Sequence, residues 1–343
     1  MTTLLWRLLP LTTLAALVLV VWSVPSEPAA EVRYLRIAAG PANTAGFAGA
    51  TALAAVVSRP PGLPACQSGE ACGVPGVVAL AQSLPTADAI VDAVASGAVD
   101  SGLVPANAVY GARCPLPGVA ARELRVLGEL YDEALHVLAR ADLDLARPEG
   151  MKGRRVAVGV NGTEDRRLAD RTLTAYGLKR RDVRMVELSG DAALGALAAG
   201  EVDVVLRLAA WPDPKVTALV EARRAVLLPV AGEAADRLRD AAPFERTGSI
   251  PAGTYGATPA VETLLQPVLW IAGPAMAETQ AAALARAVAD AANHAALVKG
   301  EVGLAFSAVP LSADRLPAPA HPGTLPLRAG KGALMDCPDD RRP

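Results

Sequence analysis

Strand-like apolar runs alternate with helical ones along most of this chain, and no other feature constrains its fold so tightly. The clearest unit runs from Leu130 to Leu178: an apolar strand at Leu135 to Ala139, a polar connection, a second strand at Arg155 to Val160, a glycine-containing turn and a long helix. Earlier units are read as strands at Val32 to Ala39, Val77 to Gln82 and Val99 to Leu103, with helices at Phe47 to Val57 and Thr86 to Ser96 between them. Later ones are strands at Val183 to Leu188, Val202 to Leu208 and Val226 to Pro229, with helices at Asp191 to Ala199 and Lys215 to Ala222. A return strand at Val268 to Ala272 and one long helix at Ala277 to Val298 follow, and the Pro-rich tail from Val309 has no assignable period. A helix between strands carries the chain back over the sheet, so such alternation predicts parallel pairing and an α/β fold. Each handover also points unpaired N–H groups of a helix start at the strand ends where open α/β sheets bind ligands.

The 343 residues, 52% of them hydrophobic, can fill two cores of ordinary domain size and are too apolar for disorder. A formal net charge of −2 offers no footprint for nucleic acid. One cation, Arg7, precedes an apolar run from Leu8 to Val24, whose length falls between a signal-peptide core and a short membrane span. Residues 1–30 are therefore read as a signal peptide or an N-terminal membrane anchor. The body is expected to be periplasmic or otherwise extracytoplasmic, free or held at the inner membrane. In that compartment Cys66 and Cys72, which enclose a short polar loop, are expected to form a disulfide, and Cys114 with Cys337 is a candidate second pair. Their spacing is not that of zinc ligands and His136, His294 and His321 are scattered singly, so neither a metal nor a cofactor is expected.

Several segments, in this order and spacing, resemble the TAXI family of solute-binding proteins, which serve TRAP transporters. They are Cys72-Gly73-Val74-Pro75-Gly76, Ala98 to Val104 (AVDSGLV), Glu129 to His136 (ELYDEALH), Met151 to Gly159 (MKGRRVAVG), Trp211-Pro212-Asp213-Pro214, Ile250 to Tyr255 (IPAGTY) and His321-Pro322-Gly323. The resemblance spans Val32 to Gly323 and implies a two-lobed type II periplasmic-binding-protein fold with a ligand cleft between the lobes. It implies a first lobe of residues 31–135 completed by 295–343, a second lobe of residues 136–294, and a hinge near Glu133 to Arg140. It further implies a small organic acid or amino-acid-like solute as ligand, TRAP membrane subunits as partner, and a monomer that performs no chemistry. Departures from the family pattern fall at the presumed cleft: Gly40 to Phe47, Pro105-Ala106-Asn107, the turn Val160-Asn161-Gly162-Thr163 followed by Glu164 and Asp165, and Arg207. They point to a divergent ligand.

The candidate ligand-binding residues are Asn43, Thr44, Phe47, Ser83, Thr86, Asn107, Tyr131, Asn161, Gly162, Thr163, Arg207, Trp211 and Tyr255. Asparagine is scarce here, with four in the chain, and Asn43, Asn107 and Asn161 each follow a predicted strand. Turns and caps use asparagine for its own backbone bonds as readily as for ligands. Thr163 is read as a helix cap, a ligand hydroxyl, or both. Arg207 is either a carboxylate clamp or a strand-end arginine that Glu164 or Asp165 could pair. Trp211 and Tyr255 are either cleft walls or packing, and Ser83 and Thr86 flank Pro85 at another strand-to-helix handover. Glu133 and His136 suggest an acid–base pair, yet no nucleophile motif, phosphate loop or H-E-x-x-H accompanies them. A membrane-anchored sensor and a bilobal enzyme are the alternatives to a transport receptor.

Overall fold

The computed structural model describes residues 32–161, 163–299, 304, 306, 315–327 and 332–338, so the expected export segment lies outside the described residues. β1 (Arg33–Ala39) leads into α1 (Ala45–Val57), whose first turn is capped by Thr44, its Oγ1 accepting the Phe47 N–H at 3.4 Å. Short strands β2 (Ser58–Arg59) and β3 (Val74–Pro75) bracket the loop closed by the Cys66–Cys72 disulfide. β4 (Val77–Ser83), α2 (Ala87–Ala95), β5 (Ser101–Pro105) and α3 (Ala106–Arg113) follow, and β1 lies parallel to both β4 and β5, as the alternation predicts. The sequence analysis did not anticipate α3, which starts directly at the end of β5 and carries Asn107 and Gly111, residues that weaken a helical pattern.

β6 (Arg125–Arg140) is much longer than the expected strand, because Asp132, Glu133 and His136 break the apolar run. Beyond it come β7 (Arg155–Ala157), α4 (Glu164–Ala175), β8 (Arg184–Val186), α5 (Gly190–Ala199), β9 (Val204–Ala210), α6 (Pro214–Glu221) and β10 (Ala225–Leu227). β7 is parallel to β8 and β9. α7 (Gly232–Ala241) and β11 (Arg246–Ile250) occupy a stretch where no element was expected, and β12 (Val261–Ala272) begins seven residues before its expected start at Val268. The expected helix from Ala277 to Val298 is two helices, α8 (Glu278–Ala289) and α9 (Ala291–Lys299). Asp290 separates them: its backbone is extended, and its carboxylate accepts the Ala292 and Asn293 N–H groups at 3.0 and 3.1 Å. β13 (Arg315–Leu316) and β14 (Ala333–Leu334) form a small parallel pair.

The main sheet runs β3-β2-β4-β1-β5-β12-β6-β9-β7-β8, with β10 on β6 and β11 on β12. Antiparallel β6 and β12 stand at its centre, paired from Leu265 opposite Ala134 to Ala272 opposite Arg125, with register shifts between Val268 and Leu269 and between Trp270 and Ile271. Each feeds two sets of cores. Leu127 and Leu130 of β6 and Val268 and Trp270 of β12 pack with Leu35, Ile37 and Leu53. Leu135 and Val137 of β6 and Leu264 of β12 pack instead with Val156, Leu168 and Leu206. The fold is thus two α/β lobes joined by two hydrogen-bonded strands that cross between them near Asp132–Ala134 and Leu265–Pro267. Val268, Trp270 and Ala272 of β12 and Leu284 and Val288 of α8 pack in the same cluster as Leu35 and Ile37. Cys114 and Cys337 form the second disulfide and fasten the tail to the end of α3. Among the described residues no helix is long and apolar enough to cross a membrane.

Candidate functional site

Tyr131 and Glu133 alternate along β6 where the strand passes between the lobes. Tyr131 is buried, edge-on to Phe306 with ring centroids 5.8 Å apart, and its hydroxyl lies 3.7 Å from where a side-chain carbon on Gly46 would stand. The first turn of α1 therefore rests on Tyr131. Glu133 stands opposite Gln266 of β12 on one side and Ala210 of β9 on the other. Gln266 is fully buried, and its Nε2 donates to Asn107 Oδ1 at 2.8 Å, linking β12 to the start of α3. Its Oε1 is a buried acceptor with no partner, an arrangement that proteins rarely leave unanswered. Neither the Tyr131 hydroxyl nor the Glu133 carboxyl makes a hydrogen bond to the described residues.

The second lobe closes on the same point. Gly159 has φ +80°, and a side chain there would stand 2.7 Å from the Arg166 nitrogen and from Asp165 Cβ, so only glycine lets the end of β7 lie this close to α4. Thr163 caps α4: its Oγ1 accepts the Arg166 N–H at 3.4 Å and donates to the Val160 carbonyl at 2.7 Å. Asp165 Oδ1 accepts the Leu208 N–H at 3.1 Å, pinning the start of α4 to β9. Arg207, one residue earlier on β9, is paired with Asp213 rather than with Glu164 or Asp165, Nη1 to Oδ2 being 3.1 Å. The contact is one of charge, since it lacks the alignment of a hydrogen bond. Asp213 in turn caps α6 through Oδ1, which accepts the Lys215 and Val216 N–H groups at 2.8 and 3.2 Å.

Behind this pair lies a closed polar chain. His136 Nδ1 is 2.9 Å from the Ala134 carbonyl and Nε2 is 2.7 Å from the Tyr255 hydroxyl. A carbonyl only accepts, so Nδ1 carries the proton, Nε2 accepts from Tyr255, and the ring is neutral. The Tyr255 hydroxyl accepts the Asp213 N–H at 3.3 Å. Burial holds His136 down to about 4 and pushes Tyr255 up. Nearer the crossing, burial and then the carboxylates of Asp165 and Glu164 push Glu133 up to about 7, against the opposing pull of Arg207. Burial raises Asp165 as well. Glu164 is held by Arg167 at 2.8 Å and Arg171 at 3.6 Å. The surplus charge at the crossing is therefore negative.

Of the residues singled out from sequence, the fold gathers Thr44, Phe47, Asn107 and Tyr131 on the first-lobe side and Thr163 and Arg207 on the other. Phe47 is half-buried against the first-lobe core. Asn43 and Asn161 are exposed in the turns before α1 and α4, and Gly162 lies outside the described residues. Ser83 and Thr86 are exposed at the neighbouring strand end, where Ser83 Oγ donates to the Gly40 carbonyl at 3.3 Å and Thr86 caps α2. Trp211 and Tyr255 sit in a second-lobe core, 8% and 1% exposed. Glu133 and His136 do not meet: Leu135 and Val137 share the odd-numbered face of β6 with Glu133, while Ala134 and Leu138 share the opposite face with His136. Gln266 was missed, because only the pairing of β12 with β6 brings it opposite Glu133. Among the described residues no three His, Cys, Asp or Glu are grouped to hold a metal ion. Two surface hollows of about 290 and 270 Å³, lined by residues such as Asp100 and Met276 or Asp170 and Lys179, lie away from the crossing.

A profile of the NMT1-like family matches residues 68–326. Among solved structures the chain is similar to a TctC solute binding protein from Polaromonas without ligand, at 16% identity and a TM-score of 0.52, covering 83% of this chain and 91% of that one. It is also similar to the alkanesulfonate-binding protein SsuA from Xanthomonas axonopodis pv. citri bound to MOPS, at 20% identity and a TM-score of 0.42, covering 80% and 81%. MatC from Rhodopseudomonas palustris with bound malate matches at 14% identity and a TM-score of 0.46, covering 77% and 87%. At such identity the TctC likeness carries the fold, two lobes around a cleft, and nothing about the ligand.

Proposed function

This chain belongs to the NMT1-like family, and on that premise we propose that it is an extracytoplasmic solute-binding receptor that captures a small organic acid or amino-acid-like solute between its lobes. One observation carries the reading. Where both lobes meet on shared strands, Tyr131, Glu133 and Gln266 offer polar atoms that the described residues leave without hydrogen bonds. A protein that used this junction only for stability would satisfy or remove such groups. We draw the first lobe as residues 32–131 with 268–338 and the second as 134–265. Thr44, Phe47, Asn107 and Tyr131 face the solute from the first lobe, and Asn161, Thr163 and Arg207 from the second. The two disulfides support an oxidising compartment. The order of the ELYDEALH, MKGRRVAVG and WPDP segments supports a TRAP-type permease as the partner of a monomeric receptor. Glu133 and His136 lie on opposite faces of β6 and form no acid–base pair, which supports the reading as a binding protein.

A ligand that binds only the folded state stabilises it by RT ln(1 + [L]/Kd), about 2.7 kcal/mol at a hundredfold excess over Kd. Thermal shift across small carboxylates, amino acids, amines and sulfonates, followed by X-ray scattering for compaction, tests the reading. A broad panel that neither stabilises nor compacts the protein refutes it.

A further inference from the structure

The crossing between the lobes is rich in acceptors; its unbonded donors are the Tyr131 hydroxyl and Arg207 Nη1, and the latter already faces Asp213. Gln266 Oε1 is buried without a partner, while its Nε2 is spent on Asn107. The Thr163 hydroxyl proton goes to the Val160 carbonyl. Arg207, the one guanidinium acting on Glu133, is engaged by Asp213. Glu133 and Asp165 bring two carboxylates, and only Asp165 has a protein donor, the Leu208 N–H. A solute carboxylate placed here meets like charge from Glu133 and Asp165, and the charge of the nearby guanidinium is already offset by Asp213. An ammonium group brings the opposite charge and three N–H donors.

We propose that the crossing holds the ammonium group of an amine-bearing solute, accepted by the Glu133 carboxylate and Gln266 Oε1 with Asp165 as flanking charge. This rests on the receptor reading and names its ligand class: primary amines and amino acids rather than plain carboxylic acids. Glu133 stands directly opposite Gln266 in the antiparallel pair, and burial favours a proton on its carboxyl. The groups that face Glu133 are Tyr131 on its own strand, Asp165 and Glu164 on α4, and Arg207 on β9. The solute's N–H groups take over the role of that proton. The proton leaves on binding, so affinity for an amine rises between pH 6 and pH 8.

The test is calorimetry on the exported protein with matched probes: glutamate against glutarate, leucine against 4-methylpentanoate, and pentane-1,5-diamine alone, each with wild type and with Glu133→Gln and Gln266→Leu. At least one amine should bind while its counterpart lacking nitrogen binds at least about tenfold more weakly. Glu133→Gln should cost that amine about tenfold to a hundredfold in affinity, without lowering the ligand-free melting temperature. Gln266→Leu should weaken the same amine, which keeps the test intact should either variant fail to fold. Equal binding of the amine-free acids, or amine affinity indifferent to Glu133→Gln, overturns the assignment and leaves the receptor reading standing. Failure of every amine also overturns it, and the receptor reading falls only if the wider panel fails too.

Discussion

Replacing Glu133 with Gln in the ligand-free protein should stabilise it, and only above a particular pH. The carboxyl is pushed from 4.5 up to about 7. That is roughly 2.5 units, and at ~1.36 kcal/mol per unit the ceiling is ~3.4 kcal/mol. The side chain is half-buried, and solvent reaching it reduces the figure to about 1–2 kcal/mol. The native protein binds the extra proton between these two values, so its stability falls as pH rises from about 4.5 through about 7. His136 acts in the opposite sense: held down to about 4 from 6.5, it takes stability away as pH falls from about 6.5 towards 4. The two slopes oppose each other between about pH 4.5 and 6.5. Glu133→Gln removes one of them. The variant should match wild type near pH 4.5, exceed it by about 1–2 kcal/mol at pH 8, and lose stability more steeply on acidification. Urea unfolding of both proteins across this range measures the difference directly, with carboxylates such as Glu245, common to both, cancelling. A difference that is the same at pH 5 and pH 8, or a variant less stable at pH 8, refutes the assignment of a strained carboxyl to Glu133.

Three further outcomes are expected. Arg207→Met should cost about 1–3 kcal/mol by denaturant unfolding, since it strands the largely buried Asp213 carboxylate, and it should move the Glu133 titration upward. Tyr255→Phe leaves the fully buried Nε2 of His136 without a donor and the Asp213 N–H without an acceptor, so a loss of about 1–3 kcal/mol is expected, against none if the hydroxyl were idle. The Cys114–Cys337 bridge spans 223 residues and the Cys66–Cys72 bridge six, so serine pairs at the former should lower the unfolding free energy by more, about 5 against about 2 kcal/mol from chain entropy alone. Equal losses would mean that strain or residual structure dominates.

The parallel βα units could be read directly from sequence because each strand is a short apolar run followed by a capped helix. Thr44, Thr86 and Thr163 were all visible for that reason, and all three spend their hydroxyls on caps. The crossing strands were read only in part. Asp132, Glu133 and His136 interrupt the pattern of β6, and Glu262, Gln266 and Pro267 interrupt that of β12. Two of those interruptions, Glu133 and Gln266, are the residues we propose to meet the solute; of the others, His136 and Asp132 are spent on contacts within the protein, with Tyr255 and Arg246. Asparagine scarcity pointed to exposed turns at Asn43 and Asn161, while the buried asparagine, Asn293, holds the Cys72 backbone at 2.6 and 2.9 Å. Which acceptor lacks a donor depends on strand register, and no spacing along the chain encodes register between segments 133 residues apart.

The order in which the core members occur along the chain governs how it can be completed as it emerges from the ribosome. Leu35, Ile37 and Leu53 appear early, but their partners Trp270, Leu284 and Val288 come after the whole second lobe. The second-lobe clusters draw on residues from Ala134 to Leu265 only, a continuous stretch. The middle of the chain can therefore settle while its beginning still waits, apolar and incomplete, for the end to arrive. Cys114 is translated 223 residues before Cys337, so its thiol waits for that partner while the second lobe is made. A product cut short before Trp270 would keep the second-lobe clusters and lack the late members of the first, and the Cys114–Cys337 bridge forms only after those members have been made.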